Sequence, residues 1–530
     1  MKKGTMLLMI MAVMMFLYGC SSSGSNSGSG AATGNSESNS GGAALSDELR
    51  IAYPTQPSTL DPQMVTGGAT KDAARPIFET LLTLNSKYQV VPMLSESWDK
   101  SEDGLVYTFQ LREGIHFHNG KEMTSSDVVA SMNRWITLST AAQGIIGDGR
   151  FTTDGDYTVV LTLNKPSLDV LLVMATYKQF PAIMPAEVIK SADPSSGIKA
   201  FIGTGPYKFV EWKQDQYISY TRNDDYQPLD TEADGLGGKK VAEVKDIRLS
   251  FVSEDSTRMI GLQSGEYDVA SQLGADNYDS IKDDSSLNTT QVMTTNISMN
   301  FNKKQGLFTD LKMRQAVNAA LNIDDIFMAN PGIPEFYRID QSYMLKEQSD
   351  WYVEPEAGLF NQKDPEKAKS LLAEAGYNGE EIRLLATREY GYIYDQAVVI
   401  KDQLEKAGMN INLVVYDWPT LVAKLNESAE WDLNLGGYTS VVTPSQISAL
   451  NPNYYGWTND PAITEGLSKM NAAASEEEEQ AIWKDVQQTV WDYLPTIKLG
   501  DLYTLTATTS KVEGYHDFEG IVLWNTKVYK

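Results

Sequence analysis

DGLVYTFQLREGIHFHNGKEMTSSDVVASMNRW, residues 103–135, contains a turn, a strand and the beginning of a helix in quick succession. Asp103-Gly104 is a turn signal. In LVYTFQLR (105–112) every second side chain is large and apolar, which predicts a half-buried strand. A helix is predicted to begin at Asp127. A second strand, YTVVLTL (157–163), shows the same alternation.

Helices are predicted further along the chain by apolar spacing and by capping residues. KMRQAVNAALN (312–322) places its apolar side chains on one helical face. DPEKAKSLLAEAGY (364–377) begins with an Asp-Pro cap and ends at Gly376. A third helix begins at Ser475, where Glu478 completes a capping box. Strands and helices that alternate in this way predict an α/β protein with mixed sheets.

The N-terminal segment predicts secretion and lipidation. A basic start precedes an apolar run that is too short to span a bilayer, so residues 1–19 are predicted to be a signal peptide. The residues Leu17 to Cys20 resemble the cleavage box of bacterial lipoproteins, in which the cysteine becomes lipidated. Cys20 is the single cysteine of the chain, so an internal disulfide is excluded.

The segment from 20 to 44 is dominated by Ser, Gly, Asn and Ala and predicts a flexible tether. No later stretch is apolar for long enough to span a membrane. The predicted location is therefore extracytoplasmic, with the lipid anchor as the single membrane attachment.

Length and charge limit the organisation and the partners. The part of the chain beyond the tether exceeds the size that one compact core supports, which predicts two or three lobes. A formal net charge of −26 argues against a nucleic-acid partner. The GxSxG and HExxH motifs of common hydrolases are absent from the sequence.

Several stretches occur in an order that resembles family 5 of the bacterial extracellular solute-binding proteins, the peptide- and nickel-type receptors of ABC importers. They cover nearly all of the chain from about Leu45 onward. They are PSTLDPQ (57–63), IFETLLTLN (77–85), VPMLSESW (91–98), the stretch 103–135, GTGPYKFVEW (203–212), LQSGEYDVA (262–270), LFTDLKMRQAVNAALNIDDIF (307–327) and DPEKAKSLLAEAGY (364–377).

The resemblance implies the periplasmic-binding-protein fold, with two lobes, a hinge cleft and an extra inserted domain. Mapped onto this chain, the first lobe takes residues 45–82, 201–299 and 499–530. The inserted domain takes 83–200, and the second lobe takes 300–498. The family is that of binding proteins, so we expect no catalysis and no cofactor. The expected partners are a small solute and the permease subunits of an ABC importer, and we expect a monomer.

The resemblance also indicates where the cleft lies. The predicted ligand-binding residues are Tyr53, Thr55, Arg388, Tyr390, Tyr392, Trp418, Tyr438, Thr439, Ser440, Val441 and Thr443. In TREYGYIYD (387–395) an extended chain would place its tyrosines on one face, where they could stack on a ligand. Arg388 could pair with a ligand carboxylate or phosphate.

The stretch GGYTSVVTPS (436–445) carries no charge. In peptide receptors of the family, a Trp after the glycine pair is followed three residues later by an Asp that pairs with the α-ammonium of the peptide. Here Tyr438 and Val441 stand at those positions. An ammonium buried without a partner is costly, so a free peptide N-terminus is disfavoured as the recognised group. A sugar, an anion held by Arg388, a nickel chelate and a blocked peptide remain open.

Other functions are weighed against these expectations. His116 and His118 could bind a metal, but an exposed pair on a strand is favoured. Gly203 to Pro206 lacks the third glycine of a dinucleotide loop and is predicted to be a tight crossover into a strand. A sensor receptor for a peptide signal and a secreted hydrolase with two carboxylates are the alternative functions. The candidate acid for the hydrolase is Asp417, next to Trp418.

Overall fold

The computed structural model describes residues 44–354 and 358–530. The predicted signal peptide (1–19), Cys20 and all of the predicted tether except Ala44 lie outside these residues. In the part of the chain that the structure describes, no helix is both long enough and apolar enough to cross a membrane.

The first part of the chain supplies one strand of the central sheet and then the inserted domain. The elements in order are β1 (Glu48–Tyr53), α1 (Gly68–Ala74), β2 (Leu82–Leu84), β3 (Val90–Pro92), β4 (Ser95–Lys100), β5 (Val106–Leu111), α2 (Ser125–Leu138), α3 (Thr140–Ile146), β6 (Arg150–Thr153), β7 (Thr158–Thr162), α4 (Val170–Met174) and α5 (Ala186–Lys190). Strands β4, β5, β7 and β6 form a separate sheet in that order. This sheet and the helices α2 to α4 lie within residues 83–200, the segment predicted to be the inserted domain, and we keep that name for them.

The chain then completes the first lobe and enters the second. The elements are β8 (Tyr207–Lys213), β9 (Tyr217–Arg222), β10 (Asp246–Phe251), α6 (Asp255–Ser264), β11 (Val269–Leu273), α7 (Tyr278–Lys282), β12 (Leu287–Phe301), α8 (Leu311–Ala320), α9 (Ile323–Ala329), β13 (Tyr337–Ile339), α10 (Pro365–Glu374), β14 (Glu381–Ala386), α11 (Gly391–Lys406), β15 (Asn410–Val415), α12 (Trp418–Leu425), β16 (Leu433–Tyr438), α13 (Pro461–Asn471), α14 (Glu476–Tyr493) and β17 (Thr496–Thr509). Four short strands follow: β18 (Val512–Glu513), β19 (His516–Asp517), β20 (Ile521–Val522) and β21 (Lys527–Val528).

One mixed sheet runs through both lobes in the order β15-β14-β16-β12-β17-β11-β1-β10-β9-β8, and β13 adds to β17. The first lobe holds β8 to β11 and β1, in which β1 pairs in parallel with β10 and β11. The second lobe holds β14 to β16, in which β14 pairs in parallel with both neighbours. Helices cover these parallel strands, which explains why their sequences are mostly apolar and buried.

The long antiparallel strands β12 and β17 connect the two lobes. At one end β17 pairs with β11 of the first lobe, and at the other end β12 pairs with β16 of the second. The register between β12 and β17 shifts between Met293 and Thr295 and again between Ile297 and Ser298. Such irregularities bend and twist a strand locally. The bends therefore lie in the segment that joins the lobes.

Apolar side chains of the described residues gather mainly in three cores. The most extensive core belongs to the second lobe and includes Phe301 and Trp483. The core of the inserted domain includes Phe109 and Trp135, and that of the first lobe includes Leu249. Separate cores allow the lobes to move as bodies about the two connecting strands.

The predicted strands and helices are present, although the helix predicted from Asp127 begins two residues earlier, at Ser125. The strand predicted at 105–112 is β5, and the strand predicted at 157–163 is β7. The helix predicted from 312 begins one residue earlier, and the helix at 364–377 is α10, capped by the Asp364 side chain. Ser475 caps α14 by accepting from the Glu478 amide.

The crossover at 203–206 is hydrogen-bonded to His118. His118 Nε2 lies 2.9 Å from the carbonyl of Gly205, and the His118 amide donates to the carbonyl of Gly203. Burial lowers the pKa of His118 to about 4. His116 is exposed, as predicted, but His118 is half-buried and lies in a turn, so the prediction of an exposed pair on a strand is wrong. Within residues 44–354 and 358–530, no group of three or more His, Cys, Asp or Glu side chains could hold a metal ion.

Gly203 permits a close approach between two backbone segments, and its substitution should be severe. A Cβ at this position would lie 2.1 Å from the Ile77 carbonyl oxygen. We expect Gly203→Ala to lower the free energy of unfolding by about 2–3 kcal/mol through overpacking. Urea denaturation measures this loss.

Gly144→Ala is the matched control, because nothing lies within 4 Å of the added Cβ and the residue is inside α3. This control should be neutral or stabilising by up to about 1 kcal/mol. Equal stability of the two variants would contradict the close packing of the crossover.

Candidate ligand-binding site

A cavity of about 780 Å³ lies where β12 and β17 pass between the lobes. Its walls come from the first lobe, the connecting strands, the inserted domain and the second lobe. The first lobe contributes Tyr53, Lys71, Asp72, Gln272, Asp276, Asp517 and Glu519. The connecting strands contribute Val292, Met293, Thr294, Thr295, Tyr503 and Thr506. The inserted domain contributes Lys178, and the second lobe contributes Asn330, Pro331, Tyr390, Tyr392 and Thr439. A concave site of this size, with apolar surface and a few polar groups, is typical of small-molecule binding.

Four predicted site residues line this cavity: Tyr53, Tyr390, Tyr392 and Thr439. The Tyr53 hydroxyl donates to Asp72 Oδ2 over 2.7 Å and accepts from Gln272 Nε2. Burial, followed by the charge of Asp72, raises the pKa of Tyr53 well above its usual value. Tyr53 is therefore a fixed, neutral part of the wall.

The tyrosine segment after β14 is helical from Gly391 onward, so the extended arrangement is wrong. Tyr390 is the N-cap residue of α11, and Tyr392 lies in the first turn. Both rings reach the cavity, whereas Tyr394 turns away and receives a hydrogen bond from Arg388 over 2.8 Å.

The remaining predicted residues lie outside the cavity wall. The Arg388 guanidinium stacks on Tyr394 at 4.2 Å from the ring centre, and Thr55 is exposed. Trp418 packs edge-on against Tyr390, with ring centres 4.9 Å apart, so it supports that ring from behind. The Tyr438 hydroxyl donates to Asn300 Oδ1. Asp417 caps α12 by accepting from the Thr420 amide.

The glycine pair at 436–437 makes room for Tyr392. A Cβ at Gly437 would lie 2.6 Å from the Tyr392 hydroxyl oxygen and 2.5 Å from a methyl carbon of Thr295. The Tyr392 ring can therefore cover the strand and still face the cavity. Burial raises the pKa of Tyr392 to about 12, so its hydroxyl stays protonated at neutral pH.

Residues 439–445 join the second lobe to the inserted domain, and we name this segment the latch. The Tyr177 hydroxyl lies 2.6 Å from the Ser440 hydroxyl, and Lys178 Nζ donates to Thr439 Oγ1 over 2.5 Å. Val442 packs into the core of the inserted domain. The uncharged stretch is thus an interface between bodies of the protein, with Thr439 at the edge of the cavity.

Two further latch residues hold a buried carboxylate. Asp169, which precedes α4, accepts from Thr443 over 3.1 Å and from Ser445 over 2.6 Å through the same oxygen, Oδ2. Burial raises the pKa of Asp169, and these two hydrogen bonds oppose the rise. Val441 lies away from the cavity, and its carbonyl accepts from Gln348. Position 441 therefore supplies no acidic side chain to the cavity.

Sequence reasoning missed the charged floor of the cavity. The floor consists of Lys71 and Asp72 from α1, Lys178, and Asp517 and Glu519 from the C-terminal segment. Lys71 Nζ donates to the carbonyl of Glu519, a residue 448 positions away in the sequence. No local pattern signals a contact between segments this distant.

Residues 89–460 match the model of the bacterial extracellular solute-binding proteins, family 5. The chain belongs to this family. The match extends from the inserted domain through β12 to the latch and beyond, and it does not include β1, α1 or β17, which also line the cavity. The predicted family and its two-lobed fold are confirmed.

Relatives and solved structures agree with this assignment. A "Probable peptide ABC transporter periplasmic-binding protein" of Sinorhizobium fredii is 27% identical over 490 residues, which cover 88% of this chain and 91% of the relative. The Helicobacter pylori periplasmic binding protein DppA, in complex with the peptide STSA, is 22% identical with a TM-score of 0.74 and covers 92% of this chain and 99% of its own. The protein AgaA from A. tumefaciens R10, in complex with agropinic acid, is 25% identical with a TM-score of 0.71, at 91% and 99% coverage.

The latch of this family 5 protein should stabilise the contact between its second lobe and its inserted domain. Replacing Thr443 by Val and Ser445 by Ala together removes both hydroxyl donors to Asp169. We expect a loss of about 1–3 kcal/mol, the cost of leaving a buried acceptor unsatisfied. Without ligand, small-angle scattering should show a larger radius of gyration, because this contact exists only while the two bodies touch.

Thr489→Val serves as control, because the Thr489 hydroxyl bonds to the carbonyl of Asp485 within its own helix. It should leave the radius of gyration unchanged. If the double variant also keeps the dimensions of the parent protein, the latch does not hold the lobes together.

A buried acid beside the latch predicts a pH effect on stability. Burial, and then the charges of Asp169 and Glu476, raise the pKa of Glu479 to about 8. A raised carboxyl pKa favours the folded state fully below the usual value near 4.5, and this contribution is lost as the pH rises through about 8. Thermal unfolding at pH 5, 7 and 9 should show that Glu479→Gln gains stability over the parent protein at pH 9 and none at pH 5.

Glu477→Gln removes the same charge from an exposed position on the same helix and should give no such pH-dependent gain. If the thermal stability of Glu479→Gln and that of the parent protein changed with pH in the same way, Glu479 would be ionised in the folded state throughout this range.

Proposed function

We propose that this protein is the extracytoplasmic receptor of an ABC importer and that it captures a small, polar, peptide-like solute in the cavity between its lobes. The single observation that carries the proposal is the composition of the cavity wall. One wall contains Tyr53 of the first lobe, another Tyr390 and Tyr392 of the second, and the connecting strands lie between them. A solute there contacts both lobes.

Contact with both lobes supplies a physical reason for capture. A ligand shifts an equilibrium between open and closed forms by the difference in its affinity for the two. The closed form offers both walls of the cavity, and the open form offers one. The bends in β12 near Thr295 lie in the wall itself, so ligand contact and hinge geometry meet at the same residues.

The chemistry of the wall supports a polar, peptide-like solute. Two tyrosine rings provide stacking area, and threonine hydroxyls and strand edges provide hydrogen bonds. The relatives described above are named for peptides and for agropinic acid, which are polar molecules. We propose the same general class for this protein, and a sugar or a metal chelate remains an alternative to be tested beside peptides.

Delivery requires a membrane partner and a means of staying near it. We propose that Cys20 is lipidated after removal of residues 1–19, that the tether of residues 20–44 holds the protein at the membrane as a monomer, and that the permease of the importer receives the solute. We also propose that the lobes have the boundaries predicted from the sequence and that the protein catalyses no reaction, as expected of a solute-binding receptor. Permease and ATPase genes beside this gene would support import, whereas their absence would favour a sensor of a peptide signal.

The proposed binding mode can be tested with defined solutes. We expect at least one member of a panel of di- to pentapeptides, disaccharides and nickel–histidine complexes to stabilise the protein by about 2.7 kcal/mol at a hundredfold excess over its dissociation constant. Tyr390→Ala should weaken that solute about tenfold in calorimetry, because the ring is partly exposed in the wall and its loss removes stacking area. Complete lack of binding by the panel would contradict the proposed solute class.

Tyr394→Ala is the matched control, since Tyr394 is in the same helical turn but outside the wall. It should change the affinity less than twofold. An equal effect of both substitutions would show that the tyrosines act through the fold of α11. Release of product from any solute in the panel would favour the hydrolase alternative.

A further inference from the structure

Lys178 brings a positive charge to the point where the inserted domain, the latch and the cavity meet. The residue follows α4, is half-buried and lines the cavity wall. Its ammonium donates to Thr439 Oγ1 over 2.5 Å and to the carbonyl of Ser440. Both acceptors are uncharged, and no carboxylate of the described residues forms an ion pair with Lys178. An ammonium has three N–H donors, so one remains for a bound group.

The acid that shares the latch with Lys178 is bonded to other groups. Glu519 Oε1 accepts from the hydroxyls of Tyr88 and Ser440. Lys178 reaches Ser440 at the carbonyl, so this residue stands between the two charges. A charge that is removed from water without an opposite charge beside it is costly. The protein therefore leaves the charge of Lys178 for another group to compensate.

A second ammonium adds to the positive potential of this part of the cavity. Lys71 also lines the wall, and its Nζ and that of Lys178 lie 5.4 Å and 5.6 Å from the centre of the same ring, that of Tyr177. An aromatic ring attracts cations but does not neutralise them. Lys71 Nζ has Asp72 as an ion-pair partner at 3.8 Å, whereas Lys178 has none. The uncompensated charge is thus that of Lys178.

The anion contact that the sequence placed at Arg388 has no counterpart in the cavity wall. The Arg388 guanidinium stacks on Tyr394, and neither residue lines the cavity. In the described part of the chain, the basic residues of the wall are Lys71 and Lys178. An anion that enters the cavity therefore meets an ammonium of the first lobe and one of the inserted domain.

We propose that Lys178 binds a carboxylate of the solute, so that the solute carries at least one negative charge. This inference rests on the proposed function, because it assigns a role within the same cavity. Two N–H groups of Lys178 hold the latch, and the third binds the carboxylate. One side chain then contacts the anion and the latch together. Such a solute favours the closed form, in which the latch contact exists.

The ionisation of Lys178 gives this preference a pH dependence. Burial lowers the pKa of Lys178 to about 8, while the charge of Glu519 opposes the shift and that of Lys71 adds to it. Tyr177 of the same segment and Asp72 beside Lys71 are further titratable groups here, and the latch contains none. The ammonium is present below about pH 8 and is lost as the pH rises further. The preference for an anionic solute should therefore shrink at high pH.

Matched solutes test the charge preference with the full-length protein. The first pair is acetyl-Ala-Ala-Ala and acetyl-Ala-Ala-Ala-amide, which differ in the terminal carboxylate. The second pair is acetyl-Ala-Glu-Ala-amide and acetyl-Ala-Gln-Ala-amide, which differ in a side-chain carboxylate. We expect the anionic member of at least one pair to bind at least tenfold more tightly in calorimetry at pH 7, and this ratio to shrink at pH 9.5. Equal binding within both pairs would overturn the proposal and leave the proposed function intact.

Variants separate binding of the anion from support of the latch. Lys178→Met should remove most of the anion preference, and Lys178→Arg should keep most of it, because the guanidinium retains the charge and the donors. Loss of the latch contact alone would weaken both members of a pair equally and leave their ratio unchanged. Lys165→Met is the control, since Lys165 is an exposed lysine of the inserted domain outside the cavity wall, and it should change the ratio less than twofold. A ratio that survives Lys178→Met would overturn the proposal.

A small probe decides the question where no peptide binds and the proposed solute class fails. We expect sodium butyrate to raise the melting temperature of the parent protein at pH 7, relative to sodium chloride at the same ionic strength, and butyramide to have no effect. Lys178→Met should not respond to butyrate. An absent response of the parent protein, or an equal response of Lys178→Met, would overturn the proposal.

Discussion

The pairing of β12 with β17 is the interaction on which the rest of the molecule depends. These strands are neighbours in one sheet, yet β17 binds β11 of the first lobe and β12 binds β16 of the second. A hydrogen-bonded ladder resists stretching but tolerates twist and bending, particularly at bulges. The strands therefore hold the two lobes at a fixed separation but allow them to rotate relative to each other. The cavity lies beside these strands, so a rotation of the lobes changes how far its two walls enclose a solute.

The latch joins the second lobe to the inserted domain beside this cavity. The latch is polar and uncharged on the side of the second lobe, while the inserted domain supplies Asp169, Tyr177 and Lys178. Hydroxyl groups can satisfy a buried carboxylate or ammonium without bringing a second full charge into the interface, which limits the desolvation cost. The closed form thus gains directional hydrogen bonds of modest strength. Modest strength suits a receptor that has to open again.

The sequence predicted the features that depend on neighbouring residues. The apolar alternation of β5, the capping of α10 by Asp364 and the start of α14 at Ser475 are local, and they are confirmed. The tyrosine segment shows the limit: its alternation of tyrosines suggested an extended face, but the start of α11 at Gly391 sends Tyr394 away from Tyr390 and Tyr392. The contact of Lys71 with Glu519 could not be found at all, because it depends on the path of the entire first lobe.

The chain path of the cavity floor has a consequence for biogenesis. Lys71 and Arg75, near the beginning of the described chain, donate to carbonyls between Phe518 and Ile521, and β17 enters the central sheet only after residue 496. A protein that crosses a membrane unfolded, N-terminus first, presents α1 long before these partners emerge. Neither the cavity floor nor the pairing of β12 with β17 can form before this last segment of the chain emerges. Solute capture therefore begins only when export of that segment is complete, so a partly translocated chain cannot sequester solute.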